Sequence, residues 1–409
     1  MRGALNFMLG HARRLAFRRK MAATLITNPA WRPHPGITII GCLSHAGSLS
    51  KVLRDFAFRC NACGIPFQAL DTGCSAPIPA SEYASLLTPE SEFRLNRYTD
   101  IIGMSALPPL PETACRLSRI GFWEFESGLR DGNPEFFDPV EVVVTSDFNK
   151  KVFRQLLPTS IPVNKILYPF QFDARRIAPL PHTASMRARH GIAPGDFTVF
   201  FNFDYRSSYY RKNPEGVLHA FADALGDCAD AKIVFKTMNT KRCPVYAARL
   251  HALAADLGIA SRVVFIDTFI SQDELVALTD ACDVYISLHR GEGFGLGIAE
   301  AMSLGKPVVV TDYSAPTEFC NSENSLLVPS VLVPVKDHER DVDVYRTVKT
   351  WADPDLRAAA DALRKLYRDR TFAQALGNKA QNFIADYFSD ANFKKSVMGF
   401  LARETPLTN

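Results

Sequence analysis

Short apolar runs alternate with helical patterns along most of the chain. The runs predict buried strands at 37–43, 66–70, 100–104, 119–125 and 140–145, and again at 197–203, 231–236, 262–267, 284–288 and 307–311. Between them apolar residues recur every three or four positions, as in Val52, Leu53 and Phe56, which predicts helices. Repeated strand–helix units predict an α/β protein with parallel sheets and ligands at the carboxyl ends of the strands.

Capping residues and prolines divide this pattern further. Ser146 precedes a helical pattern as an N-cap, and Ser271 with Glu274 predicts a capping box. The stretch 173–195 has no clear period and contains three prolines, so it is predicted to link two α/β series. A helical period returns from about Pro354 to Leu401.

With 409 residues, 47% of them hydrophobic and 22% charged, two globular domains are expected.

The net charge of +4 is unevenly distributed, since no Asp or Glu precedes Asp55 while basic residues crowd the first 32 positions. This segment lacks the apolar core of a signal peptide. It fits either an amphipathic helix on an anionic membrane surface or a disordered basic tail. No zinc-finger spacing or RNA-binding motif accompanies the charge, so nucleic-acid binding is not predicted. No run of about 18 apolar residues occurs, so no spanning helix is predicted.

Nine cysteines include Cys60 and Cys63, followed by Cys74. The pair falls at the end of a helix predicted from Ser48 to about Asn61, and it lacks a second C-x-x-C or a histidine pair at zinc-like spacing. Buried free thiols are therefore predicted, and reduced cysteines fit the cytosol.

The most informative stretch is 287–311, SLHRGEGFGLGIAEAMSLGKPVVVT, in which a glycine-rich turn, a helix and a buried strand follow one another. Glu292 lies in the turn, and Glu300 lies inside the helix that begins at Gly295 and ends before Gly305. Unpaired N–H groups at a helix start favour a diphosphate, and nearby carboxylates accept hydrogen bonds from hydroxyls. The combination indicates a nucleotide-sugar.

This stretch resembles the E-x7-E signature of retaining GT-B glycosyltransferases, specifically glycosyltransferase family 4 (group 1), and its flanks resemble a bacterial subgroup that builds surface polysaccharides. The resemblance extends from about Gly36 onward. It implies a GT-B fold, in which two Rossmann-like domains face each other across a cleft. The predicted divisions are a basic extension at 1–34, an acceptor domain at 35–175, a donor domain at 176–388, and a C-terminal helix and tail at 389–409 that return to the first domain.

The resemblance also implies roles for residues of the motif. Glu300 is expected to accept hydrogen bonds from ribose hydroxyls. Glu292 is expected to contact hydroxyls of the transferred sugar, with a solvated loop carboxylate as the alternative. The N–H groups of Phe294, Gly295 and Leu296 are expected to line the phosphates and the sugar.

Arg206 and Lys212 resemble the diphosphate-binding Arg and Lys of the family. Lys212 precedes Asn213 and Pro214, where a helix is predicted to begin. For Arg206 a solvated loop position remains open, and the neighbouring Arg211 competes for the role.

In the first domain Gly47 is expected near the donor phosphates and the acceptor, although its loop has less glycine than the family pattern. Glu124, in the run GFWEFE, is expected either to contact donor or acceptor hydroxyls or to be a buried structural carboxylate.

The implied reaction is metal-independent and cofactor-free transfer with retained anomeric configuration, in which the nucleotide-sugar is a co-substrate. Asp341-Val-Asp343 and Asp353-Pro-Asp355 superficially look like a metal-binding D-x-D, but solvated faces of the C-terminal helical region are expected there. The expected donor is GDP-mannose or a related sugar, with UDP-sugars next. The expected acceptor is a glycan or polyprenyl-linked hydroxyl in polysaccharide or O-antigen assembly, reached from the cytoplasm or the inner face of the plasma membrane.

Two other functions remain open: a catalytically silent scaffold that binds a nucleotide-sugar, and a non-transferring GT-B enzyme such as a nucleotide-sugar epimerase. A retaining glycosidase is not predicted. Such hydrolases need two carboxyl groups about 5–5.5 Å apart astride the scissile bond, whereas Glu292 and Glu300 lie in a loop and inside a helix.

Overall fold

The computed structural model describes residues 33–45, 48–73, 78–89, 91–94, 97–103, 115–128, 141–171 and 183–403. These residues form two compact units. The first unit contains the described parts of 1–122, 133–171 and 388–409, and the second contains those of 123–132 and 172–387. The basic extension up to residue 32 and Gly47 lie outside the described residues.

The first unit is built on a parallel sheet. Its strands are β1 (His34–Gly41), β2 (Phe67–Asp71), β3 (Tyr98–Gly103), β4 (Arg116–Ile120), β5 (Glu141–Val144) and β6 (Val163–Lys165); its helices are α1 (Ser48–Ala62), α2 (Asp147–Leu156) and a C-terminal helix, Asp390–Leu401. The strand order is β2-β1-β3-β4-β5-β6. Ile39, Ile102 and Val143 are fully buried on this sheet, as expected where strands form continuous apolar runs. The predicted N-cap is confirmed, since Ser146 Oγ accepts a hydrogen bond from the N–H of Asn149 at 3.1 Å.

The C-terminal helix belongs to the first unit. Its Phe393 packs edge-on against Phe56 of α1, with ring centroids 5.6 Å apart. Beyond the helix, Arg403 pairs with the fully buried Asp100 of β3 at 3.0 Å. Asp100 also pairs with Arg116 of β4 at 2.6 Å, so two cations offset the burial of this carboxylate, and Arg403 joins the segment after the C-terminal helix to the sheet of the unit.

The second unit contains another parallel sheet and an antiparallel hairpin. Its strands are β7 (Phe197–Asp204), β8 (Ala231–Met238), β9 (Val263–Ile266), β10 (Val284–Ser287), β11 (Val308–Thr311) and β12 (Leu326–Val328), followed by the hairpin strands β13 (Ser330–Pro334) and β14 (Thr350–Pro354). Its helices are α3 (Thr183–Arg189), α4 (Tyr209–Lys212), α5 (Pro214–Leu225), α6 (Pro244–Asp256), α7 (Gln272–Asp280), α8 (Leu296–Ser303), α9 (Leu356–Arg368) and α10 (Arg370–Tyr387), and the C-terminal helix is α11.

The sheet of the second unit has the order β12-β11-β10-β7-β8-β9, so the first strand of the series, β7, lies inside it. The predicted capping box of α7 is confirmed: Ser271 Oγ accepts from the N–H of Glu274 at 3.2 Å, and Glu274 accepts from the N–H of Ser271 at 3.0 Å. Gly305 ends α8 with a left-handed φ of 70°, which favours glycine.

The structure differs from the sequence prediction in several places. Strands β6 and β12 were not predicted, and two further regions have a structure other than the one predicted. The strand predicted at 119–125 is wrong in position, because β4 ends at Ile120. Trp123 already belongs to the second unit and packs there against Tyr345, with ring centroids 5.7 Å apart. Part of the predicted linker forms α3. Its Arg187 donates to the carbonyl of Ala281 at 2.7 Å, a long-range contact that the local sequence does not reveal.

The predicted free thiols are confirmed for Cys60 and Cys63, which are buried and unpaired with each other. Burial raises the pKa of both thiols. Cys74 lies outside the described residues. Among the helices that the structure describes, none has the length and apolar character needed to cross a membrane.

Candidate active site

The first turn of α8 lies directly on the sheet of the second unit. Gly295 caps the turn with a left-handed φ of 94°. A Cβ on Gly297 would come within 2.5 Å of the Tyr285 hydroxyl and 2.8 Å of Asn202 Oδ1, so this close approach requires glycine. The N–H groups of a first turn lack intrahelical partners and carry partial positive charge. The helix start is therefore suited to an anion.

Glu300 lies one turn further along α8 and is 8% exposed. Its Oε1 accepts from Nε2 of Gln272, the first residue of α7, at 3.4 Å. At the helix start, Phe294 is buried against Phe319 with ring centroids 5.3 Å apart, and Leu296 is half-buried. The structure thus brings the predicted Phe294, Gly295, Leu296 and Glu300 together in α8 and the two residues that precede it.

Glu292 lies in the loop between β10 and α8 and is bound by two cations. Its Oε2 is 2.5 Å from Lys212 Nζ and 3.4 Å from Arg211 Nη1. Its backbone N–H donates to Ser314 Oγ at 2.9 Å. Only 16% of the Glu292 side chain is exposed, so it is not a solvated loop carboxylate.

Lys212 ends the short helix α4, and Asn213 joins that helix to α5. Asn213 adopts the left-handed conformation (φ 55°, ψ 48°) and caps α5, while its Nδ2 donates to the carbonyl of Leu288 at 2.9 Å. The predicted helix start at Pro214 is confirmed. Because Leu288 directly follows β10, this junction fixes Lys212 beside the loop that carries Glu292.

Arg211 belongs to this cluster, whereas Arg206 does not. Arg211 is 2% exposed; its Nη1 donates to the carbonyl of Gly291 at 2.8 Å, and its Nη2 donates to the carbonyl and the Oγ of Ser207 at 2.8 and 2.7 Å. Arg206 is exposed, and its backbone N–H donates to Asp204 at 2.9 Å. The cation beside Lys212 in the cluster is therefore Arg211.

Two carboxyl groups near these cations have opposite pKa shifts. Burial alone would raise the pKa of Glu292, but the charges of Lys212 and Arg211, together with His289, lower it to about 2. Burial raises the pKa of Glu124, and the negative charge of Glu292 adds to this rise against the effect of Arg211. Opposite shifts within one group of side chains are typical of functional sites.

Glu124 lies in the second unit, close to the loop of Glu292. A Cβ on Gly291 would come within 2.6 Å of the carbonyl oxygen of Glu124, so the two segments are in backbone contact. The neighbouring Phe125 packs edge-on against Tyr345, with ring centroids 5.1 Å apart. The backbone of Glu124 therefore lies beside the cluster.

His289 is fully buried just after β10. Its Nδ1 lies 3.2 Å from Ser287 Oγ, and its Nε2 lies 3.1 Å from the carbonyl oxygen of Tyr313. Because a carbonyl only accepts, we assign the hydrogen to Nε2, which leaves Nδ1 to accept from the Ser287 hydroxyl. Burial lowers the pKa of His289 to about 4, so the ring is neutral at pH 7.

Residues 187–343 match the family described as glycosyl transferases group 1. This stretch contains Arg206, Lys212, Glu292 and Glu300. The chain is also 29% identical over 162 residues to D-inositol 3-phosphate glycosyltransferase of Streptomyces bingchenggensis. This match covers 38% of this chain and 35% of that protein. It is 24% identical over 119 residues to the serotype-specific mannosyltransferase WbdA of Escherichia coli. This match covers 29% of this chain and 14% of that protein. The matches thus span about a third or less of each relative.

A solved structure matches over most of the chain. HepE of Anabaena, in complex with UDP and glucose, superposes with a TM-score of 0.58 at 17% identity, covering 90% of this chain and 100% of that chain. Together with the two parallel sheets, this likeness confirms the predicted α/β class and GT-B fold.

The hairpin β13–β14 and Tyr345 in its connection were not predicted. The aspartates of the two D-x-D runs were expected on solvated faces of the C-terminal helical region. Asp343 and Asp355 are exposed, as expected. Asp341 is instead half-buried and accepts from the N–H of Tyr209 at 2.8 Å, and Asp353 lies in strand β14 rather than on a helix and pairs with Arg290 at 3.1 Å. The short apolar runs SVLVP and TWADP were the available signal for the strands.

Replacing His289 by Gln should flatten the pH dependence of stability. The folded-state pKa of about 4 lies below the ordinary 6.5, so protonation favours the unfolded chain. The contribution of the neutral His289 ring to the free energy of unfolding is complete above pH 6.5 and is lost as the pH falls to 4. The difference is about 3 kcal/mol. Urea unfolding at several pH values measures this pH dependence of the free energy of unfolding. The exposed His338→Gln should keep the wild-type slope, and the same slope in His289→Gln would contradict the assignment.

Proposed function

We propose that this chain is a retaining glycosyltransferase that moves a sugar from a nucleotide-sugar to a hydroxyl of a glycan or polyprenyl-linked acceptor. The observation that carries the proposal is the cluster of Lys212, Arg211 and Glu292 beside the start of α8. It lies at the carboxyl ends of parallel strands, where α/β proteins bind ligands. Cations and a helix start suit a diphosphate, and an acceptor-only carboxylate suits sugar hydroxyls.

In the proposed reaction the acceptor hydroxyl attacks the anomeric carbon from the face that the nucleoside diphosphate leaves. The bond from this carbon to the phosphate oxygen breaks as the new glycosidic bond forms, and the acceptor proton passes to the departing phosphate oxygen. The anomeric configuration is thereby retained without a protein nucleophile. Lys212 Nζ carries three hydrogens, so it can donate to phosphate oxygens while it remains near Glu292. The protein's contribution is orientation and charge stabilisation.

We assign Glu300 to the ribose. An ionised carboxylate can accept hydrogen bonds from both ribose hydroxyls, and Glu300 shares α8 with the proposed phosphate site. Its hydrogen bond with Gln272 orients the carboxyl at the amino ends of α7 and α8.

The proposed donor is GDP-mannose or a related sugar, with UDP-sugars as the alternative. The similarity to a mannosyltransferase supports the first, and the UDP bound by HepE supports the second. The serotype-specific role in the relative's name supports polysaccharide or O-antigen assembly. We place the activity in the cytoplasm or at the inner face of the plasma membrane, with residues 1–34 as the candidate membrane contact.

We propose that transfer requires neither metal ion nor cofactor. Lys212 supplies positive charge for the diphosphate, and the candidate carboxylates Asp341 and Asp353 are engaged by Tyr209 and Arg290. Transfer assayed in EDTA should equal transfer without it. Loss of activity in EDTA that Mg²⁺ or Mn²⁺ restores would contradict this proposal.

Thermal unfolding with GDP, UDP, ADP and dTDP tests the donor site. A ligand present at about 100 times its dissociation constant adds roughly 2.7 kcal/mol to stability. One of these nucleotides should stabilise the wild type selectively, and Glu300→Ala should abolish the shift. The matched control is Glu323→Ala, which removes an exposed carboxylate of the same unit and should keep the full shift. Stabilisation of Glu300→Ala equal to the wild type would contradict the ribose assignment.

A further inference from the structure

The short helix α4, which ends at Lys212, is a single turn of four residues. The N–H of Lys212 donates to the carbonyl of Ser208 at 3.1 Å, and the N–H of Asn213 donates to the carbonyl of Tyr209 at 3.0 Å. A turn of this length is not stable on its own, because it fixes several backbone dihedral angles for very few hydrogen bonds. The position of Lys212 therefore depends on the contacts that hold the two ends of the turn.

Both ends of the turn have a positive φ. Ser208, before the turn, has φ 64° and ψ 107°, and Asn213, after it, has φ 55° and ψ 48°. Asparagine tolerates this region better than serine, so the strain is greater at Ser208. Such conformations persist only where neighbouring groups hold them. At the second end the holding contact is the hydrogen bond from Asn213 to the carbonyl of Leu288.

Asp341 provides the holding contact at the first end. Its Oδ2 accepts a hydrogen bond from the N–H of Tyr209 at 2.8 Å. Tyr209 is 1% exposed, and the first N–H groups of a helix have no partner inside it, so without Asp341 this N–H would be buried and unsatisfied. The hydrogen bond directly follows the strained Ser208 and fixes the first residue of the turn that ends at Lys212.

The connection between β13 and β14 holds Asp341 in place. Four residues beyond it, the Tyr345 ring packs edge-on against Trp123 and Phe125, with centroids 5.7 and 5.1 Å away. The N–H of Tyr345 also donates to the carbonyl of Val342 at 2.9 Å. The carboxylate of Asp341 is thus presented to α4 by a packed segment of the same unit.

We propose that Asp341 is a positioning residue that holds the strained start of α4 and thereby places Lys212 for the diphosphate. This inference rests on the proposed function, in which Lys212 binds the departing diphosphate. Asp341 acts through Lys212 and not by contact with the substrate. What the N–H of Tyr209 requires is an acceptor oxygen at this point, which an uncharged amide also supplies.

The side chain of Tyr209 is held independently of Asp341. Its ring is stacked on Tyr246, with centroids 4.7 Å apart, and its hydroxyl donates to Glu215 Oε1 at 2.9 Å. Loss of the Asp341 carboxylate therefore frees the backbone at the start of α4 but keeps these contacts. The variant Asp341→Ala is expected to fold.

Equilibrium binding of GDP and GMP, and of UDP and UMP, tests the inference in Asp341→Ala. The variant should lose about ten-fold of the wild-type preference for the diphosphate, as expected when a charge-assisted contact to the second phosphate is lost. Its affinity for the monophosphate should change little. Asp341→Asn keeps an acceptor oxygen and should retain the preference. The matched control is Asp343→Ala, which removes an exposed aspartate of the same connection and should leave all affinities unchanged.

A double-mutant cycle with Lys212→Ala separates action through Lys212 from a general effect on the site. In that background Asp341→Ala should cause no further loss of the diphosphate preference. A further loss of the same size would overturn the inference. So would a preference that Asp341→Ala leaves unchanged, or one that Asp341→Asn loses to the same extent.

These contrary results would leave the proposed function intact. A wild type that prefers neither diphosphate over its monophosphate would instead remove the proposed diphosphate site, and this inference would fall with it. If Asp341→Ala does not fold, Asp341→Glu carries the same comparison, because it keeps the charge but moves the carboxylate by one methylene relative to the N–H of Tyr209.

Discussion

Burial of the Arg211 guanidinium is the constraint on which the candidate site depends. A cation that is 2% exposed is stable only where carbonyls, hydroxyls and carboxylates surround it. Arg211 meets this requirement through Gly291, Ser207 and Glu292, and the ring of Tyr345 lies against it. One side chain thus draws together the loop after β7, the loop after β10 and the hairpin connection. The chain's own groups therefore fix the geometry of the site around it.

This preorganisation has a chemical consequence. The cations keep Glu292 ionised at any physiological pH, while burial and Glu292 itself push the pKa of Glu124 upward. Lys212 and the first turn of α8 provide positive charge close to the same loop. In the proposed reaction a departing diphosphate would meet fixed charges and dipoles that need no reorganisation, and such electrostatic stabilisation is usually the largest single contribution to catalysis. The neutral His289 supports this loop without adding a competing charge.

Much of this arrangement could be predicted from local sequence. The apolar runs located five of the six strands in each sheet within a few residues and missed the three-residue edge strands β6 and β12. Glu292, Glu300 and Lys212 lie where a turn, a helix and a helix junction were predicted. The hairpin was missed because both of its strands end in proline and because its charged connection looked like a solvated face. The choice of Arg211 over Arg206, and the contact of Trp123 and Phe125 with Tyr345, depend on long-range packing, which no local pattern encodes.

The most direct measurement compares the affinities of nucleoside diphosphates and monophosphates, GDP with GMP and UDP with UMP, for the wild type and Lys212→Ala. If the cationic cluster is a diphosphate site, the wild type should prefer the diphosphate, and the variant should lose about ten-fold or more of that preference, because a charge-assisted contact to the second phosphate is gone. Binding of the monophosphate should change little. A preference for the diphosphate that survives unchanged in Lys212→Ala would contradict the assignment of this cluster.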